Sequence, residues 1–319
     1  MLVCMAWLGA ASPTVRSNLP YADEATRVVQ QLTDEVAAST LLHHPFLQTY
    51  AAGGFANMEL ATRTFAVNHY SYSRNFLKYL QSVRSKLEAA SPEDVVLLSE
   101  NMDEEMGNYS EEDFVVLGQH GIRRALIEKI PHTKLIKHFL DTIGVTQADF
   151  DDTTTIGAQF TRDILAMYDE ANACEALAII GFAIEQTVST LYQFIWDGLR
   201  NHTSMNPDDF VFFPLHILVD DGHADHLKNA FHALYARDRA QCSNAANVVR
   251  RVLDRRSKML ADLKNHIEDL SCTNGVCPAT DRSHLPFANE ATRVVQELTD
   301  EVAASTLLHH PFLQTYAAG

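Results

Sequence analysis

Residues 216–223 read His216-Ile-Leu-Val-Asp220-Asp221-Gly-His223. Wound as an α-helix at about 100° per residue from His216, Asp220 falls at about 40° and His223 at about −20°. Asp221 lies about 140° away and His226 about 80° away on the other side, so neither joins that face readily. Two imidazoles and one carboxylate on a narrow face form a donor set that suits iron, and less specifically zinc or manganese. A surface helix merely rich in His and Asp would carry the same letters. The rest of the chain has to separate the two readings.

The chain has 319 residues, enough for one large domain or two small ones. Hydrophobic residues make up 46 %, as in a packed globular protein. With ten prolines, thirteen glycines and few alternating β-branched runs, the composition favours helix. A net charge of −16 repels phosphate backbones and argues against nucleic-acid binding. The one basic cluster, Arg250-Arg251 and Arg255-Arg256, reads as a solvated helix face. Five irregularly spaced cysteines do not make a disulfide framework, so the fold is not expected to depend on one. Cys272 and Cys277 read as free thiols in a linker, or as a local bridge. No run of transmembrane length stands out. Residues 1–17 are a leader, unstructured or a clipped targeting remnant, since Met1 to Ala11 is apolar but short. The expectation is a cytoplasmic protein without a membrane partner.

An internal repeat sets the domain boundary. Residues 18–53 recur at 284–319, offset by 266, with four of 36 positions changed. A tandem array of independent domains follows: a first unit over 18–270, a linker at 271–283, and the opening helix of a truncated second unit at 284–319.

Within the first unit, apolar periodicity predicts helices over 22–42, 57–87, 91–106, 122–129, 132–143, 155–170, 173–201, 210–235 and 240–270, with 108–120 polar and irregular. The fold class is all-α. Phe65, His69, Tyr72 and Phe76 form an aromatic stripe, read as core packing or, in part, as a pocket wall; with Phe213, the last three of these make the candidate substrate pocket. Glu185 is a charge in an otherwise apolar helix, which is costly unless paired or metal-bound. His132 opens a helix, and on its own a cap reading is the commoner one. Upstream, Asn101-Met-Asp-Glu104-Glu105-Met-Gly107 offers a further carboxylate.

The order Glu, His, Glu, then His-x3-Asp-x2-His on an all-α domain resembles the haem-oxygenase-like di-iron oxidase and oxygenase family. The strings GFAIEQTVSTLYQFIWDGL and FFPLHILVDDGHADHL, and the spacings His132 to Glu185 and Glu185 to His216, carry the resemblance over roughly residues 22–270. It implies a haem-oxygenase-like bundle of about seven helices. It also implies six metal ligands: Glu105, His132, Glu185, His216, Asp220 and His223. Family members often place the first Glu only a few residues before the His, whereas Glu105 precedes His132 by 27, so Glu104 and Glu128 remain rivals. Two Fe ions cycling between Fe2+ and Fe3+, with O2 as co-substrate, would oxidise a small organic acid, amino acid or amine. The outcome would be C–C cleavage, desaturation or N-oxygenation. An external electron donor and a homodimer are compatible with this.

Two other readings stay open. A thiaminase-like hydrolase on the same scaffold needs a cysteine nucleophile, for which Cys174 and Cys242 are the helical candidates. A non-catalytic metal- or ligand-binding module, repeated for avidity, is the other. Haem oxygenase itself is disfavoured, because no histidine precedes His43 in the first helix.

Overall fold

Apolar periodicity decides where helices form, and local caps decide where they stop. The computed structural model describes residues 19–273. The expected leader, most of the linker with Cys277, and the second copy of the repeat lie outside the described residues. A unit boundary falls between Ser271 and Cys272.

Among the described residues every regular element is helical. Helix α1 (Ala22–Ala37) buries Ala25, Leu32 and Val36, and carries Asp23 and Glu24 in its first turn, where acids complement the helix dipole. It stops short of Leu42 because the Ser39 side chain accepts from the Leu41 amide and opens a separate 3-10 turn, Thr40–His43. His44 then caps α2 (Pro45–Ala51), with Pro45 in the first turn. The single helix expected over 57–87 is two, α3 (Met58–Ser73) and α4 (Phe76–Ala90). At the break, Asn75 donates its side-chain amide back to the Ser71 carbonyl, competing with continued helix.

Helix α5 (Val95–Glu105) ends before Gly107, whose φ of +81° suits glycine. A Cβ there would lie 2.5 Å from the Ile130 amide, so this glycine also lets a later turn close on the end of α5. Residues 108–120 are not irregular. They hold α6 (Glu111–Gln119), started by a capping box in which Ser110 accepts from the Asp113 amide and Asp113 accepts from the Ser110 amide. The helix expected over 122–129 shrinks to a 3-10 turn, Arg124–Leu126, which has no side-chain cap and is too short to propagate.

Then come α7 (His132–Thr142), α8 (Gln147–Asp151) and α9 (Ile156–Glu170). One rod follows, built of α10 (Ala173–Ala178), a π-helical segment (Ile179–Glu185) and α11 (Gln186–His202). Helices α12 (Phe212–Arg237) and α13 (Ala245–Thr273) complete the described chain. The helical segments outnumber the seven expected because caps and turns divide stretches that periodicity alone joins.

The rod Ala173–His202 is long and apolar enough to cross a membrane, but 78 % of its apolar window is buried inside the protein, so here it is a core helix. It packs along α12, with α1 and α2 against the pair. Gly198 permits the approach to α2, since a Cβ there would lie 2.4 Å from the fully buried Tyr50 ring. Gly198→Ala is therefore expected to cost about 1–3 kcal/mol through overpacking. The readout is a lower urea midpoint at unchanged slope; an unchanged midpoint would refute this close approach.

Cys174 on α10 and Cys242 beyond α12 form a disulfide across 68 residues, with Cα atoms 5.2 Å apart. One bond is not the disulfide framework that the cysteine spacing argued against, but its pairing was not foreseen. Helix packing joins two cysteines whose sequence spacing gave no sign of pairing.

Candidate metal centre

Six side chains from four places in the bundle converge. Glu105 is the last residue of α5, placed there by the turn at Gly107. His132 is the first residue of α7, immediately after Pro131. Glu185 closes the π-helical segment, and α12 carries His216, Asp220 and His223. None of the six is more than 6 % exposed. They fall into two groups, Glu105 with His132 and His216, and Glu185 with Asp220 and His223. Within each group the donor atoms lie within 4.8 Å of one another. Four residues of helix rise are about 6 Å, so a single face of α12 feeds both groups.

Neighbours fix the orientation of each imidazole. His216 donates Nδ1–H to the Phe212 carbonyl at 2.6 Å, which leaves Nε2 as a lone pair. That lone pair faces His132 Nδ1 at 3.1 Å and Glu105 Oε1 at 3.8 Å. His132 Nδ1 is also 3.1 Å from Glu105 Oε1, and its Nε2 bonds the Tyr109 hydroxyl. His223 Nε2 donates to Glu104 Oε2 at 3.1 Å, while Nδ1 points toward Asp220 Oδ1 at 3.6 Å. Asn101 donates to the His223 carbonyl at 3.2 Å and ties α5 to α12. Of the three rival carboxylates, only Glu105 belongs to a donor group. Glu104 orients His223 from outside, and Glu128 is paired with Arg124 at the surface.

Burial pushes the Glu185 carboxyl up to about 8, against the pull of His223 and with the help of Glu105. Burial also acts on His223, but its bond to Glu104 and the carboxylates around it outweigh that and hold it at about 10. His216 goes the other way, down to about 3, from burial and the neighbouring His132. Glu105, though buried, is held down at about 2 by His132, His216 and His223. Glu185 Oε1 and His223 Nδ1 are buried without a hydrogen-bond partner. Groups in that condition are normally paired or hold a metal. Three carboxylates, three imidazoles and no sulfur form a donor set that fits iron.

The family described as iron-containing redox enzymes matches residues 63–257, more than half of the chain and a span that holds all six side chains. The chain belongs to that family. Its fold is similar to that of a CADD-like protein of unknown function from Nostoc punctiforme, at 16 % identity over 81 % of this chain and 100 % of that one, TM-score 0.54. It is also similar to a TenA homologue from Pseudomonas syringae pv. tomato, at 11 % identity over 80 % and 98 % of the two chains, TM-score 0.56. A domain of unknown function with a haem oxygenase-like fold from Shewanella denitrificans matches at 14 % identity over 80 % and 95 %, TM-score 0.49. No curated protein matches the chain.

In this iron-containing redox enzyme the π-helical segment matters for placement. Its wider turns shift the register that delivers Glu185, as π-turns often do at functional sites. Arg256 of α13 donates from Nη1 to the Ala183 carbonyl at 3.0 Å, the Ile184 carbonyl at 3.5 Å and the Thr187 hydroxyl, serving backbone acceptors of that segment. The basic cluster is thus only partly a solvated face. Arg250 pairs with Glu35 and Arg255 with Asp163, while Arg256 is buried. Its place in the stripe Val249, Val252, Leu253, Leu260, Leu263 and Ile267 was the available signal.

A cavity adjoins both donor groups, with Tyr72, Phe76, Val188 and Phe212 among its walls. Two residues expected in the pocket, His69 and Phe213, do not line it. They sit in the aromatic core. His69 stacks on Phe65 at 5.2 Å and bonds the Tyr192 hydroxyl at 3.0 Å, and Phe213 packs edge-on to Phe139. Burial pulls His69 down to about 3, so it is neutral and can accept that bond.

Tyr109, absent from the expected site, holds His132 from behind. Tyr109→Phe is expected to weaken iron binding about 10–100-fold, the usual effect of losing a partner of a metal-binding histidine. Competition with a chelator measures it. An unchanged affinity would show that the hydroxyl does not orient His132.

Proposed function

We propose that this iron-containing redox enzyme is a non-haem di-iron oxidase or oxygenase that uses O2 to oxidise a small organic acid, amino acid or amine. One observation carries the reading: two buried groups of nitrogen and oxygen donors share α12 and border a cavity whose wall includes Phe76, Ile184, Val188 and Phe212. Iron held there would supply the electrons and Lewis acidity that O2 reduction needs. The chain's own residues do the rest. Phe212, Tyr109 and Glu104 hold the three imidazoles in fixed orientations, so loading the site needs little rearrangement. Phe76, Val188 and Phe212 give the cavity an apolar side beside them. Reducing O2 fully to water takes four electrons, and a two-electron substrate oxidation leaves two to come from an external donor.

The thiaminase-like alternative had two helical nucleophile candidates. Cys174 and Cys242 are bonded to each other, and neither lines the cavity. The functional test is oxygen uptake by anaerobically ferrous-loaded protein given small acids, amino acids and amines in turn. The expected result is uptake above that of the same iron free in buffer, stimulated by one substrate class. Iron-loaded protein that never exceeds free iron would transfer the reading to a binding module.

A further inference from the structure

The π-helical segment that ends at Glu185 is held from two sides. The Gln186 amide bonds the Gly181 carbonyl, five residues back, where an α-turn would bond Phe182. Where such a ladder returns to four-residue steps one carbonyl is skipped, and a buried carbonyl needs another donor. Arg256 of α13 is 6 % exposed and supplies one. Its Nη1 reaches the Ala183 and Ile184 carbonyls and the Thr187 hydroxyl, which itself donates to the Ile184 carbonyl at 2.8 Å. Toward α12, Gly181 comes so near that a Cβ there would lie 2.9 Å from the Leu227 Cβ. The guanidinium also shares the cavity wall with Glu105, Glu185 and Asp220. Its charge is felt at Glu185, where with His223 it opposes the rise that burial imposes.

We propose that Arg256 is a positioning residue for the ion of the Glu185, Asp220 and His223 group: it locks the register of the π-helical segment, and that register aims Glu185 at the other two. One residue of slip turns a side chain by about 100° around the rod. Relaxed to an α-helix, the segment would swing Glu185 out of its group and leave Asp220 and His223, both on α12, without a donor from the facing rod. The Glu105 group draws its donors from α5, α7 and α12, so it does not depend on this register. The inference rests on reading the two donor groups as metal sites. It makes α13, which carries none of the six donors, a determinant of one group and not of the other.

The test has a metal-free arm and a metal arm, both on the full chain. Without metal, amide hydrogen exchange read by mass spectrometry is expected to quicken about tenfold across residues 179–187 in Arg256→Met, the scale of one lost buried hydrogen bond, and to stay as in the wild type across α5 and α7. With metal, ferrous titration at pH 8 is expected to bind the ion of the Glu185 group about 10–100-fold more weakly in Arg256→Met, the usual effect of losing an outer partner, and the ion of the Glu105 group unchanged. Arg256→Lys, which keeps a charged donor, is expected to recover most of the lost affinity. Thr187→Val keeps the arginine and the side-chain shape but loses the bridging hydroxyl. It carries the same test where Arg256→Met does not fold, with an expected several-fold loss confined to the Glu185 group. Exchange and loading as in the wild type, or loss of both ions together without recovery by lysine, would overturn the proposal. A wild type that loads two irons with Arg256→Met matching it sinks only the register role. A wild type that binds no iron sinks the metal reading, and the register role with it.

Discussion

Glu185→Ala is expected to halve the iron bound per chain and to lower iron-dependent oxygen consumption by at least about 100-fold, more than the loss of an outer partner costs. Glu185 is the only member of its group not carried by α12, so Asp220 and His223 alone would have to hold the second ion. Two donors from one helix leave most positions to water. The Glu105 group keeps its three side chains and should still load. Unfolding would not explain the loss. Glu185 has a folded-state pKa of about 8 against an ordinary 4.5. Between those values the unfolded chain ionises first, so this carboxyl destabilises the metal-free fold increasingly as pH rises through that window. Glu185→Gln, which keeps the volume, should therefore melt no lower than the wild type at pH 8 without metal, while losing the same iron. Iron content unchanged in both variants would remove Glu185 from the centre.

Iron affinity at the Glu185, Asp220 and His223 group is expected to climb steeply with pH. In the metal-free protein Glu185 is held at about 8 and His223 at about 10, so near pH 7 both carry protons that a metal must displace. Two protons released per ion mean an affinity that rises by about 100-fold per pH unit below 8, and about tenfold per unit from there to 10. Glu105 at about 2 and His216 at about 3 are already deprotonated and add no such dependence to the other group. Ferrous titration at pH 6 should thus fill the Glu105 group first, with the second ion entering as pH approaches 8. His223 also stabilises the metal-free fold. Its raised pKa contributes fully below the ordinary 6.5 and is lost as pH rises through about 10. Equal loading of both groups at pH 6 would contradict the assignment.

The helical class was legible from apolar periodicity, and the side chains of the site largely from their chemistry. His216, Asp220 and His223 share a face by spacing alone, and a lone glutamate among Phe182, Ile184 and Val188 announces itself by its cost. What one face cannot show is how donors divide. His216 goes with Glu105, and Asp220 and His223 go with Glu185, because the elements facing α12 differ along its length. The choice among Glu104, Glu105 and Glu128 also needed three dimensions, since the orientation at the end of α5 depends on the turn at Gly107. Boundaries failed where a side chain competed with the helix, as at Ser39 and Asn75. The capping box at Ser110 and Asp113 was readable and outweighs the polar look of its surroundings. His69 misled because an aromatic stripe spans both core and cavity wall, and which part opens depends on the neighbours that fill it. The disulfide and Tyr109 depended on packing between distant segments.

The most direct measurement is an anaerobic ferrous titration of the full chain at pH 8, followed by rapid mixing with O2 under stopped-flow absorbance. Two buried donor groups call for a break at two irons per chain, and for a transient visible band that grows only as the second iron is added. A break at one iron, or no band at any loading, would contradict a two-metal oxygen-activating centre.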